Sequence, residues 1–160
     1  MSSRRCASLT LLVAALAATP AVARADLGVG LFVGQPTGLD LKIGLERRTA
    51  LDVVIGWDRL DEGRVDYAHA TFLANLGVAR GRSVLVPFRV GVGVAVFDGA
   101  GAFGDEVNVA VRAPIELGLR FRRTPVELYG ELALKLTLID GNDDHSDVDG
   151  DGGVGLRVYF

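Results

Sequence analysis

The chain has 160 residues, a single cysteine, and 17 basic against 20 acidic side chains, for a formal net charge of −3. That length holds one domain, one cysteine excludes a disulfide-stapled scaffold, and the acidic balance argues against a nucleic-acid partner. Glycine is abundant, at 21 residues, and helix signals are few.

Residues 1–25 read as a cleaved signal peptide. Arg4 and Arg5 form a positive leader, Leu9 to Ala18 a short apolar run, and Ala23-Arg24-Ala25 a small-x-small cleavage site. Ser3-Arg4-Arg5 also fits a twin-arginine signal, although two arginines are commonplace there. The apolar run is too short to cross a bilayer as a helix. Cys6 precedes it, so the mature chain has no thiol. Residues 26–160 form one domain with 14 basic and 20 acidic residues, a net charge of −6. No later stretch of about 18 apolar residues remains, so a helical membrane protein is excluded.

Eight strands follow, each with a side-chain period of two. Strand one, about 26–35, sets Leu27, Val29, Leu31 and Val33 against Gly28, Gly30, Phe32 and Gly34. Gln35-Pro36-Thr37-Gly38 is a turn. Strand two, about 38–46, sets Leu39, Leu41, Ile43 and Leu45 against Asp40, Lys42, Gly44 and Glu46. Strand three, about 49–58, sets Leu51, Val53, Ile55 and Trp57 against Asp52, Val54, Gly56 and Asp58. Strand four, about 64–75, is the least clear, with Tyr67, His69, Thr71 and Asn75 on the polar face. Strand five, about 83–97, places Pro87, Arg89, Gly91, Gly93 and Ala95 opposite a row of valines. Strand six, about 107–121, carries Asn108, Arg112, Pro114, Glu116 and Arg120 on one face and Val109, Val111, Ile115, Leu117 and Leu119 on the other.

Strand seven, Pro125 to Asp140, alternates most strictly. Val126, Leu128, Leu132, Leu134, Leu136 and Leu138 oppose Glu127, Tyr129, Glu131, Lys135 and Thr137. Strand eight, about 152–160, sets Val154, Leu156, Val158 and Phe160 against Gly155, Arg157 and Tyr159. The links after strands two, four and six are short or basic. Those after three, five and seven are mostly longer, acidic and glycine-rich, the asymmetry of outer-membrane barrels between periplasmic turns and outside loops.

The polar faces gather Lys42, Arg89, Arg112, Arg120, Lys135 and Arg157 with Asp40, Glu46, Asp52, Glu116, Glu127 and Glu131, and Asp58 near the mouth. Eight strands make a cylinder just wide enough to be filled by side chains, and buried charges persist only when paired. A soluble lipocalin-type barrel would have the opposite polarity. The expected fold is therefore all-β: an eight-stranded antiparallel up-and-down transmembrane β-barrel after a cleaved signal peptide. A soluble barrel or sandwich with leucines in its core is the alternative. Pro87 and Pro114 argue against a closed barrel, which has no edge to hold them. A bulge at Pro114 would accommodate it and could reverse the facing beyond it.

Four stretches resemble a family of small, uncharacterised bacterial outer-membrane barrels: Gly34-Gln35-Pro36-Thr37-Gly38-Leu39 with Lys42, then Val111-Arg112-Ala113-Pro114, then Val126 to Leu132, and Gly152 to Phe160. The resemblance spans most of the mature chain and makes Pro114 a family feature. Val154, Leu156, Val158 and the terminal Phe160 look like the signal read by the barrel-assembly machinery. The family implies a fold and a location, with no functional residues to carry over.

Three further features are site candidates. Asp147-Val148-Asp149-Gly150-Asp151-Gly152 matches the first half of a calcium loop, but its twelfth position is Val158 where a bidentate Glu is needed. The competing reading is a solvated acidic loop. His69 and Thr71 lie two apart on one strand face. They resemble the His and Ser of outer-membrane lipid A deacylases, with Thr in place of Ser and no clear orienting acid. His145-Ser146 sits in an acidic stretch with no defined geometry. Trp57, Tyr67 and Phe97 near one rim, with Phe121 and Phe160 near the other, read as interfacial girdles.

The expectation is a non-enzymatic, porin-like outer-membrane protein of a Gram-negative bacterium with a side-chain-filled lumen and no cofactor. It is a monomer with both termini periplasmic, in contact with outer-membrane lipid and lipopolysaccharide. A lipid-modifying enzyme or a narrow pore is the alternative.

Overall fold

A computed structural model describes residues 27–57, 67–98, 107–139 and 148–160. The expected signal peptide, Asp58, His145-Ser146 and Asp147 lie outside them. The described residues form eight strands, β1 (Leu27–Gln35), β2 (Thr37–Gly44), β3 (Thr49–Trp57), β4 (Tyr67–Arg80), β5 (Val84–Asp98), β6 (Val107–Phe121), β7 (Val126–Ile139) and β8 (Val148–Tyr159). Each pairs antiparallel with the next, and β8 returns to β1, closing an up-and-down barrel. Eight residue pairs from Gly28↔Tyr159 to Gln35↔Gly152 form that closing seam. The Phe160 N–H donates to the Leu27 carbonyl at 2.9 Å, where the two ends meet.

Period two sets what each wall presents. Along β7, Glu127, Tyr129, Glu131, Ala133, Lys135 and Thr137 are buried while Leu128, Leu132, Leu134, Leu136 and Leu138 are exposed. Along β8, Arg157 and Tyr159 are buried while Val154, Leu156, Val158 and Phe160 are exposed. The interior is polar and the outer wall apolar. Within the lumen a small apolar cluster of Phe32, Val54 and Tyr129 fills space between charges, with Phe32 and Tyr129 stacked at 5.8 Å.

Several boundaries depart from the sequence reading. β2 stops at Gly44, so Glu46 lies in the following turn, exposed, and does not reach the lumen. β4 continues to Arg80, where a link had been expected from Gly77. A register shift between Asn75 and Gly77 takes up one extra residue, and pairing with β5 then resumes. β8 begins at Val148, so Asp149 and Asp151 lie in a strand paired with β7. Tyr67, expected at an interfacial girdle, is fully buried in the lumen and stacks on Phe97 at 6.1 Å. The strand reading that put Tyr67 inward had the correct face.

The prolines sit on one seam. Pairing between β5 and β6 lapses between Leu85 and Phe88, beside Pro87, and again between Val90 and Gly93, opposite Pro114. Each proline keeps its register with the strand on its other side, as Val78↔Pro87 and Pro114↔Ala133. A residue in an antiparallel ladder turns its N–H and carbonyl to one neighbour, so both missing donors are spent on the same seam. No bulge forms at Pro114 and facing does not reverse: Arg112, Pro114 and Glu116 are all buried. The register shift of β6 against β7 lies at Val109/Ala110.

Gly155 faces inward where the Tyr129 ring crosses it. A Cβ there would lie 2.2 Å from that ring. The ring is held by Phe32 and by its hydroxyl, which donates to Asp40 at 2.5 Å. Gly155→Ala should therefore destabilise by about 1–3 kcal/mol. Gly130→Ala, whose new methyl would meet nothing closer than 3.9 Å, should cost far less. Equilibrium urea unfolding of the two variants checks the difference, and equal midpoints would contradict the packing described.

Candidate functional site

The interior charges are joined into a chain of ion pairs centred on Arg157. Its Nε donates to Asp40 Oδ2 at 2.5 Å, Nη1 to Glu116 Oε2 at 2.8 Å and Nη2 to Asp52 Oδ1 at 2.7 Å. Its guanidinium carbon lies 3.6 Å from the centre of the Tyr129 ring. Glu116 Oε1 accepts from Lys42 Nζ at 2.9 Å and from Arg89 Nη1. Arg89 Nη1 also donates to Glu127 Oε1 at 2.7 Å, and the Tyr159 hydroxyl donates to Glu127 Oε2. Arg120 caps this layer toward the turns, 4.1 Å from the Tyr159 ring centre.

Two smaller layers stand between this one and the other mouth. Arg112 donates through Nη2 to Glu131 Oε1 at 2.7 Å and through Nη1 to Thr71 Oγ1 at 3.1 Å and His69 Nε2 at 2.9 Å. Lys135 Nζ lies 3.1 Å from Asp151 Oδ1 and 3.6 Å from Asp149 Oδ2, and 4.6 Å from the Phe97 ring centre. The Tyr67 hydroxyl donates to Asp151 Oδ2 at 3.1 Å.

The pairs run both along the sheet, as Arg89–Glu116 does between register partners, and across the lumen, as those of Arg157 with Asp52 and Glu116 do. Side by side on the walls stand like charges, Arg112↔Lys135 and Glu116↔Glu131, an arrangement that destabilises a sheet when nothing else intervenes. Arg112 pairs with Glu131 and Lys135 with Asp151 on the next strand, while Glu116 takes Arg89 from β5 and reaches Lys42 and Arg157 across the interior. Arg157 on β8 thus ties β2, β3 and β6 together through side chains alone. Among the described residues, five cations and six carboxylates are buried, so the interior is close to neutral as a unit.

Of the charges read from the polar faces, Asp40, Lys42, Asp52, Arg89, Arg112, Glu116, Glu127, Glu131, Lys135 and Arg157 are buried here. Arg120 is half-buried at the mouth and Glu46 is outside. The sequence places Tyr67, Tyr129 and Tyr159 on the polar faces without assigning them to the charge network, and it places Asp151 in a loop. Period two was the available signal, since Tyr129 and Tyr159 share a face with Glu131 and Arg157.

Of the calcium-loop candidate Asp147, Asp149 and Asp151, Asp147 lies outside the described residues. Gly150 is paired with Leu134 in the ladder, whereas a calcium loop needs a sharp turn at its glycine. Asp151 is already bound to Lys135 and Tyr67. A second cluster, Asp52, Glu116 and Glu131, brings carboxylate oxygens within 4.8 Å of one another. Arg157 and Arg112 occupy those oxygens, so guanidinium supplies the positive charge a metal would bring.

His69 and Thr71 are similarly committed. Arginine only donates, so His69 Nε2 must accept from Arg112, and the ring proton lies on Nδ1. The lone pair a general base would use is therefore engaged, and the Thr71 hydroxyl accepts from the same guanidinium.

Removing a shared partner should cost more than removing one of several. Arg157→Met leaves Asp40, Asp52 and Glu116 facing one another and should destabilise by about 3–5 kcal/mol. Lys42→Met should cost clearly less, because Glu116 keeps Arg89 and Arg157. Urea midpoints at neutral pH give the ranking, and equal costs would remove Arg157 from the centre of the network.

Comparison of the chain with models of protein families, with curated proteins and with solved structures gave no match.

Proposed function

We propose that the chain is an integral β-barrel of a bacterial outer membrane, non-enzymatic, whose interior is a closed polar plug and whose role is structural or one of surface interaction. The inverted polarity of the walls carries this reading. Leu132 is 74% exposed and Leu39 64%, on opposite parts of the cylinder, with Leu31, Ile55, Val92, Ile115 and Leu156 between them. In water each would forgo about 1.5–3 kcal/mol of burial, and soluble monomers rarely expose an apolar surface that surrounds them. Lipid covers such a wall. A tilted strand needs about nine to eleven residues to cross a bilayer, and these strands run from 8 to 15.

Charge orients the barrel. The segments 58–66, 99–106 and 140–147 carry ten acids and two arginines, whereas 45–48, 81–83 and 122–125 carry five arginines and one acid. The acidic side would face outward among lipopolysaccharide, and the basic side, with both chain ends, the periplasm. The exposed row Val154, Leu156, Val158 and Phe160 suits contact with the barrel-assembly machinery. The engagement of His69 and Thr71 by Arg112 supports the non-enzymatic reading over a lipid A deacylase.

Single spin-labelled cysteines at 127 through 137 test the facing. Lipid-soluble oxygen should relax labels at the even positions and spare the odd ones. Leu132→Arg should cost about 2–4 kcal/mol near the midplane, and the wild type should conduct poorly in planar bilayers. Absence of parity in oxygen access would sink the membrane reading, and steady conductance would refute a closed plug.

A further inference from the structure

The periplasmic mouth carries cations that the plug does not use. Arg80 and Arg82 flank the β4–β5 turn, and Arg122 and Arg123 form the β6–β7 turn. All four are exposed and make no ion pair among the described residues. Between the two turns lies a cleft of about 580 Å³ lined by Arg80, Arg120, Arg122 and Arg123 on its polar side and by Leu85 and Phe121 on its apolar side. Arg80↔Leu85 and Leu85↔Arg120 form one row across three strands with the lumen-facing parity of Pro87 and Arg89, and Phe121, opposite Val84 in the next row, has the outward parity, so the cleft straddles the rim of the wall.

Phe121, itself 40% exposed, belongs by its parity to the outer wall, where it continues the apolar row of Leu117 and Leu119. The cleft is thus continuous with the surface that lipid tails would cover. It sets guanidinium groups at the level where the head groups of that leaflet begin. Guanidinium donors suit phosphate oxygens, and basic pockets at a membrane surface recognise anionic head groups.

We propose that this cleft is a binding site for the phosphodiester head group of an anionic phospholipid in the periplasmic leaflet, held by Arg80, Arg122 and Arg123 while an acyl chain lies against Phe121. The inference rests on the membrane reading above. No bond is made or broken, and the lipid serves as a fixed boundary component that sets the depth of the basic end. Lys42, Arg47, Arg48, Arg89 and Glu46 line a second recess of about 130 Å³ at the mouth of the lumen, which meets the first at Arg120. That recess opens among plug residues, and Glu46 offsets part of its charge.

The test is electron paramagnetic resonance of the full-length protein in phosphatidylcholine vesicles containing trace spin-labelled lipid. The motionally restricted fraction of labelled phosphatidylglycerol is compared with that of labelled phosphatidylcholine. The wild type should prefer phosphatidylglycerol by at least about fivefold, the factor one cation near an anionic surface supplies. The preference should fall to near one in Arg80→Gln/Arg122→Gln/Arg123→Gln and persist in Arg47→Gln/Arg48→Gln. Gel mobility before and after heating confirms that each variant is folded. Equal restriction of both lipids by the wild type, or equal loss in both variants, would overturn the site. Loss of the preference in millimolar inorganic phosphate would assign the cleft to a free anion and overturn the lipid. If neither lipid is restricted at all, the membrane reading itself fails.

Discussion

An arginine buried in a narrow cylinder must find all its partners within that cylinder. Arg157 is fully buried, and its five N–H donors have fixed directions. Asp40, Asp52 and Glu116 take one bond each from Nε, Nη2 and Nη1, from three other strands. An isolated charge in such a place is untenable, and a paired one is tolerable only when its hydrogen bonds are complete. Each carboxylate therefore needs Arg157 as much as Arg157 needs it. The same demand propagates through Glu116 to Lys42 and Arg89, and through Arg89 to Glu127 and Tyr159. One residue's solvation problem thus organises most of the lower lumen.

The two walls solve opposite problems with one backbone. A closed ladder satisfies the main-chain polar groups, which is what permits an apolar exterior without a helix. Side chains inside then have only one another. Tyrosines are well suited to this setting, because each ring fills volume while its hydroxyl donates to a carboxylate. Tyr129 does so for Asp40, Tyr159 for Glu127 and Tyr67 for Asp151. Phe32 and Val54 occupy space where no charge is needed.

Strand number, order and facing were legible because period two is a local property and the glycine-rich links separate the runs cleanly. Lys42 inward and Leu41 outward needs only neighbours in sequence. The pairing of Arg157 with Asp40 was not legible. They are 117 residues apart, and they meet because both stand opposite Gly30, one on each side of β1, a register that alternation alone does not give. Their meeting depends on how the ladder closes β8 onto β1, a long-range property. Glu46 was misplaced because alternation continues in the sequence beyond the point where the backbone leaves the sheet. Asp149 and Asp151 were read as a loop because aspartate and glycine are poor strand formers, yet Lys135 on the neighbouring strand supplies the charge that holds Asp151 in place.

The two prolines give the cylinder a seam unlike the other seven. Between them, only Phe88, Arg89 and Val90 remain paired with Leu117, Glu116 and Ile115. In the middle of that short stretch stands the Arg89–Glu116 ion pair. It works as a rivet across a joint whose stitching has been cut on both sides. Under lateral strain the wall would part there first, and the force resisting separation would be ionic and set by the plug, whereas elsewhere around the ring it would come from the amide ladder.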